Sequence, residues 1–316
     1  MTFRFLLQIV VLLLVQSCTD SVKEENIINP GFTQYITGFT SGIISKNSRI
    51  HIKLAEKSKK FTQPNEEVDD DLFDFSPNVD GEAYWLDDRT IEFRPEESLK
   101  SGTDYEVEFD LDDVAKVPKE LETFVFKVRT ITQSFHLETE GITPYNPKDL
   151  IWNRFSGRIS TADYLDQEEV EKLLLISIDG KKLKATWVHN SVGTLHEFVV
   201  DSVERKEVAQ IVLLEYSGKE FDIATEGSEE MEIPSLSDFK LMSTKLSQEP
   251  EQQVVLHFSD PIKDDQQLKG LIRFNDFDNL RFVVANNVVT IYPQSRLHGV
   301  HTLLVEESLL NTMSRK

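Results

Sequence analysis

The residues with the widest chemical repertoire are few and scattered. Seven histidines occur, His51, His136, His189, His196, His257, His298 and His301, and none falls in an H-E-x-x-H spacing. His298 and His301 are separated by Gly299 and Val300 near the start of an expected strand, where residues three apart point to opposite faces. They are therefore poor joint ligands. Asp69, Asp70, Asp71 and Asp74 offer hard oxygens, but they lack the alternating spacing and glycine of a calcium loop and read as a solvated segment. No G-x-S-x-G elbow, phosphate-cradling G-x-x-x-x-G-K or G-x-G-x-x-G occurs. Cys18 is the sole cysteine, so no disulfide forms within one chain and every core must stand on packing alone. These patterns predict no catalytic residue, no metal site and no cofactor, and the chain is not expected to be an enzyme.

The position of Cys18 gives its thiol another use. Arg4 supplies a thin positive start, and Phe5 to Val15 is an apolar run broken once by Gln8. A spanning helix needs about 20 apolar residues, so the run reads as a signal peptide and not a permanent anchor. Val15-Gln16-Ser17-Cys18 resembles the lipobox of bacterial lipoproteins, in which the cysteine becomes the acylated first residue; Gln16 fits more loosely than a small residue would. Two or more acyl chains hold a protein stably on a membrane, at about 0.8 kcal/mol per buried CH2. Cys18 is thus the expected lipidation site. The polar stretch after it reads as a tether, with Lys23-Glu24-Glu25 solvated or serving as a surface-export signal.

Composition narrows the partners. The chain has 316 residues, 55 acidic against 34 basic, and a formal net charge of -21. That field repels nucleic acid and anionic headgroups, which argues against both as partners. A hydrophobic fraction of 39% and 20 phenylalanines suffice for packed cores.

The elements that must position everything else repeat. Ala83 to Phe109 and Arg281 to Glu307 align on Pro95 and Pro293. Ile91 and Phe93 fall on Val289 and Ile291, Leu99 falls on Leu297, and Gly102 falls on Gly299 after a one-residue gap. Upstream, SRIHIKLAEK from Ser48 alternates like QQVVLHFSDP from Gln252. Each unit reads as a strand, a variable stretch, a hairpin, a proline-led turn and another strand, the spacing of an antiparallel sandwich. The first copy continues into a further alternating strand over 121–130, and the second copy stops before an equivalent. A sandwich without its last strand keeps an open edge, so the third unit looks cut short unless a neighbour or an atypical terminus covers it.

The middle segment has its own signals. Asp166 with Glu169 is a capping-box variant leading into Val170, Leu173 and Leu174, one short helix. Asp179-Gly180 between alternating runs predicts a hairpin with a primed turn. Trp85, Trp152 and Trp187 are expected in cores. The fold class is therefore all-β: tandem immunoglobulin-like antiparallel β-sandwiches, with one short helix in the middle domain. The expected divisions are 1–17 signal peptide, 18–35 acylated tether, 36–131 first sandwich, 132–235 second sandwich with the helix, and 236–316 third sandwich missing its last strand.

Four stretches carry a family resemblance. FSPNVDGEAYWLDDRTIEFRPEESLKSGTDYEV resembles the first Ig-like (macroglobulin) domain of bacterial alpha-2-macroglobulin-like lipoproteins. GRISTADYLDQEEVEKLL, then HFSDPIKDDQQLKGLIRF with IYPQSRLHGVHTLLVEESLLN, resemble the succeeding domains of the Bacteroidetes type. The first of these motifs is shared with surface-layer Ig-like domains, whereas their order with the lipobox is more specific. The resemblance implies the membrane-anchored N-terminal spacer of a protease trap, an endopeptidase inhibitor. It would sit lipid-anchored in the envelope of a Gram-negative bacterium, periplasmic or on the outer-membrane surface. Host or foreign proteases would be partners of the full-length protein, with no small-molecule substrate. The chain departs from the complete pattern: it lacks a thioester cysteine and a long bait segment, and it is several times too short. The alternative is a free-standing surface lipoprotein that binds protein or glycan.

Overall fold

The computed structural model describes residues 28–68 and 71–316. The signal segment, Cys18, Asp69 and Asp70 lie outside the described residues. The first eight strands are β1 (Ile36–Phe39), β2 (Gly42–Ile44), β3 (Ile50–Leu54), β4 (Phe73–Ser76), β5 (Gly81–Asp87), β6 (Thr90–Pro95), β7 (Asp104–Asp110) and β8 (Thr123–Thr130). They form two four-stranded sheets, β1-β3-β6-β5 and β2-β8-β7-β4. Alternation explains them: β8 reads TFVFKVRT, and its Phe124, Phe126 and Val128 point into the core while the residues between are exposed. Burying each such side chain contributes about 1.5–3 kcal/mol. All pairings are antiparallel except β2 against β8, which run parallel.

The middle region supplies β9 (Phe135–Asn146), β10 (Asp149–Thr161), β11 (Leu174–Ile178), β12 (Lys181–Leu183), β13 (Thr186–His189), β14 (Leu195–Glu204), β15 (Gln210–Ser217) and β16 (Glu226–Ile233). Its sheets are β13-β14-β10-β9 and β12-β11-β15-β16. The helix α1 spans Gln167–Lys172, where Asp166 N donates to Glu169 Oε2 at 3.3 Å and buried Val170 faces the core. Asp179 and Gly180 have φ of 51° and 75°, the two left-handed residues that a type I′ turn between β11 and β12 requires.

The last six strands are β17 (Leu241–Ser247), β18 (Gln253–Phe258), β19 (Ile272–Phe274), β20 (Leu280–Ala285), β21 (Val288–Pro293) and β22 (Leu303–Val305). Here one sheet has four strands, β17-β18-β21-β20, and the other only β19-β22. A second short helix, α2 (Leu268–Leu271), corrects the expectation of a single helix. Apolar residues around it alternate too briefly to have betrayed a four-residue turn.

Three separate apolar clusters centre on Phe109 and Ile91, on Phe155 and Phe198, and on Leu256 and Val289. Two placements differ from the sequence reading. Residues 28–35, expected in the tether, pack on the first sandwich: Pro30–Gln34 form a 3-10 turn, and Phe32 meets Phe124 edge-on at 4.9 Å. Burial of Phe32, packing of Ile28 and Tyr35 on the same core, and the Asn29 side chain accepting from the Gly31 N–H at 2.9 Å hold that turn. Trp152, expected in a core, is 46% exposed, because β10 turns it to the solvent face, whereas Trp85 is buried and Trp187 packs beside Phe198.

Candidate functional site

The histidines are spread over separate environments. His51 bonds Glu92 at 2.8 Å, and Arg49 and Arg94 reach the same carboxylate at 2.9 and 2.6 Å. Burial pushes Glu92 up, but Arg94, His51 and Arg49 together hold it below the usual carboxylate range. His189 and His196 meet Nδ1 to Nδ1 at 2.8 Å, with His196 fully buried. Burial, then the neighbouring His189, pushes His196 below the ordinary imidazole value. Burial does the same to His257, beside Thr143 of β9. His298 and His301 lie in the loop before β22, not on a strand, and His301 bonds Asp276 at 2.9 Å and the His298 carbonyl at 3.0 Å. The described residues contain no group of three or more His, Cys, Asp or Glu placed to hold a metal.

The junctions between sandwiches are polar, part-buried at the first and with a fully buried ion pair at the second. At the first, Asp163 accepts from Ser45 Oγ and the Lys46 backbone N–H, both at 2.6 Å. Gln133 braces it, donating to the Asp163 carbonyl at 2.9 Å and accepting from the Asp163 N–H at 3.0 Å. At the second, the Arg205 guanidinium is enclosed. It donates to the carbonyls of Pro234 (2.8 Å), Ser235 (2.7 Å) and Asp238, and it pairs with Asp260. Asn311 donates to the other Asp260 oxygen. Asn287 reaches from the β20–β21 turn to the Ile142 carbonyl at 2.8 Å, and Thr312 reaches the Pro147 carbonyl at 2.7 Å. Charges in such a place are tolerated only when paired and hydrogen-bonded. Sequence reading missed Asp163, Arg205 and Asp260. The only trace was two charged residues, in SVERKEV and HFSDP, at the ends of alternating runs.

The third sandwich holds a cleft of about 810 Å³ between β17, β18 and the loop leading to β22. Its apolar lining includes Leu246, Val254, Phe274, Leu297, Val300 and Leu303. The basic lining residues are Arg296, His298 and His301. The size falls in the range of ligand pockets, roughly 300–1,000 Å³. A smaller pocket of about 440 Å³ on the first sandwich sets Lys57, Lys59, Lys60 and Lys116 among Glu56, Asp112 and Asp113, so its charges largely offset one another.

The fold defines a class: the chain is a tandem array of Ig-like antiparallel β-sandwiches. Comparison with known protein families agrees for the first sandwich. Residues 60–115, which include β4 to β7, match the family described as bacterial Ig domain. No curated protein matches. Among solved structures, dimeric latent PorU from Porphyromonas gingivalis is similar at 10% identity, with 89% of this chain covered and a TM-score of 0.24. The chain spans 31% of the length of that PorU chain. The N-terminal eight Ig domains of Down Syndrome Cell Adhesion Molecule isoform 1.30.30 are similar at 10% identity, covering 86% of this chain and 41% of that one, with a TM-score of 0.17. At such scores no residue of either protein transfers to this chain.

Proposed function

We propose that this chain is the membrane-anchored spacer region of an alpha-2-macroglobulin-like protease inhibitor, held by a lipid on Cys18 in a Gram-negative cell envelope. It performs no catalysis; it sets a distance and an angle between the membrane and the trapping part of the protein. The observation that carries the spacer reading is the pair of polar junctions, part-buried Asp163 with Ser45 and Lys46, and fully buried Arg205 with Asp260. Domains joined by flexible linkers move freely by default, whereas buried, directional contacts fix their angle. The lipobox-like Val15 to Cys18 supports the anchor, and the order of Ig-like motifs supports the inhibitor family.

Two assays test this reading. Cells expressing the full chain are fed labelled palmitate, and the Cys18→Ala variant is the control. The wild type should carry label and sediment with membranes, and the variant should do neither. A Cys18→Ala protein that still sediments would sink the anchor. In the second assay the purified chain is mixed with a protease and a small peptide substrate. A spacer leaves hydrolysis unchanged, and direct inhibition would overturn the assignment. The alternative, a free-standing lipoprotein binding a protein or glycan, is favoured by one observation, the open cleft of the third sandwich.

A further inference from the structure

The second sandwich buries two histidines against each other. His189 of β13 directly opposes His196 of β14, and Trp187 opposes Phe198 two residues along. Alternation puts His196, Phe198 and Val200 on the core side of β14. His196 is fully buried, and the His189 side chain is 8% exposed. A neutral imidazole has one N–H and one bare nitrogen. The 2.8 Å between the two Nδ1 atoms therefore holds a single proton, donated by one ring to the other.

The surroundings assign that proton. Glu171 of α1 stands 3.5 Å from His189 Nε2, so this nitrogen carries its hydrogen and His189 Nδ1 is bare. His196 Nδ1 is then the donor, and His196 Nε2 is left bare, buried without a hydrogen-bond partner. The other elements packed here bring apolar groups: Ile159 of β10 opposes His196, and Trp187 stacks on His189 at 6.0 Å and packs on Phe198 at 5.2 Å. Tyr164, from the loop before α1, lies against Gly193 and bonds Asp166 at 3.3 Å. Burial, then Asp166, pushes its phenol up, so it stays neutral. Glu171 is thus the charged group that faces the pair.

Proton counting shows what acid does to this arrangement. A first added proton has one place to go, His196 Nε2, where it becomes a buried donor with no acceptor. A second must enter the bridge, which sets two N–H groups and two positive rings head to head. Both steps are unfavourable in an apolar core. Burial, then His189, accordingly holds His196 below its ordinary value, against the lesser pull of the Gly193 carbonyl. The strand that carries His189 is the easiest part of the sandwich to detach. Among the described residues β13 is an edge strand of four residues, Thr186–His189, paired with β14 alone. Its outward Val188 is 65% exposed, so Trp187 and His189 are the side chains that fasten it. Short, exposed edges open at a fraction of the global unfolding free energy.

We propose that the His189–His196 pair is an acid-sensitive latch: it holds β13 on the second sandwich at neutral pH, and proton uptake by the pair frees that strand and uncovers Trp187 while β9, β10 and β14 stay paired. The latch needs no lipid on Cys18, so Cys18→Ala leaves it intact.

The test is amide hydrogen exchange of the full chain from about pH 8 to about pH 5, corrected for the intrinsic pH dependence of exchange. Protection of Thr186–His189 should be level above the ordinary imidazole value of 6.5 and fall below it. The fall should reach about tenfold per pH unit for each proton taken up on opening. Protection of Phe155 to Ile159 in β10 should persist. His196→Gln removes the bridge proton and should flatten the profile of β13. Glu171→Gln changes a half-exposed side chain that the fold tolerates, and it should move the fall to higher pH, because the closed pair loses the carboxylate that faces its proton. A level wild-type profile would overturn the proposal, and so would loss of β10 protection in parallel with β13. A pH dependence that survives His196→Gln, or that Glu171→Gln leaves in place, would also overturn it.

Discussion

Replacing Arg205 by alanine should uncouple the third sandwich from the second. The guanidinium makes its contacts with three carbonyls and Asp260 inside a site with no exposed side-chain surface on either charged partner. Truncation leaves the Asp260 carboxylate buried with Asn311 as its remaining side-chain donor. Breaking one member of a buried ion pair costs about 3–5 kcal/mol. Total stability of a domain is only about 5–15 kcal/mol, so the loss is a large share of what holds the third core in place. The three tryptophans, Trp85, Trp152 and Trp187, all lie before residue 236. Urea unfolding followed by tryptophan fluorescence therefore reports the first two sandwiches, and circular dichroism reports all three. Arg205→Ala should shift the dichroism midpoint well below the fluorescence midpoint. The double variant Arg205→Met with Asp260→Leu should recover most of the loss, because both charges leave together. A single variant that loses less than about 1 kcal/mol, with coincident transitions, would refute the view that this pair fastens the junction.

Other outcomes follow from the same contacts. Phe124→Ala should cost about 3–5 kcal/mol in the first sandwich, measured by the fluorescence midpoint, since its ring packs on both Phe32 and Phe39. Gly157→Ala should destabilise the second sandwich by about 1–3 kcal/mol, because an added Cβ would sit 2.5 Å from the Phe198 ring and 2.6 Å from the Glu138 carbonyl. Thermal melts check it. Stability should also fall on acidification. The folded chain holds His196 and His257 below their ordinary value of 6.5, so the unfolded chain binds protons that the folded one refuses. Their contribution is complete above that value and is lost as pH drops toward the folded values; His196→Gln should flatten the slope in urea midpoints across this window. The lowered Glu92 and Glu138 add a loss of the same sign below about 4.5.

Much of the fold could be read from alternation and from the repeat. Ile91 and Phe93 fell on Val289 and Ile291 by sequence, and the strand registers place those residues identically. Gly102 and Gly299 matched by offset, and both take left-handed φ, 63° and 92°. Asp179-Gly180 gave its turn because only certain residues accept positive φ twice in succession. The rest depended on long-range geometry. Asp163 meets Ser45 across 118 positions and Arg205 meets Asp260 across 55, and one sequence carries no period or motif for such pairs. Trp152 failed because composition ranks tryptophan as buried, whereas the face that a strand residue occupies is set by register. Phe32 failed for a related reason: a polar run hid one aromatic with a docking place on Phe124. The lining of the cleft was not legible, since Leu246 and Leu303 come together only through the two sheets.

The central claim is that the third sandwich repeats the sheet order of the first, with β22 paired on one side only among the described residues. Amide hydrogen exchange on the full chain tests it most directly, by comparing β22 with its counterpart β7. An open edge predicts that Leu303 to Val305 exchange orders of magnitude faster than Tyr105 to Phe109, whose strand is paired on both sides. Equal, strong protection of the two strands would mean that the edge of β22 is already covered, and would contradict the account.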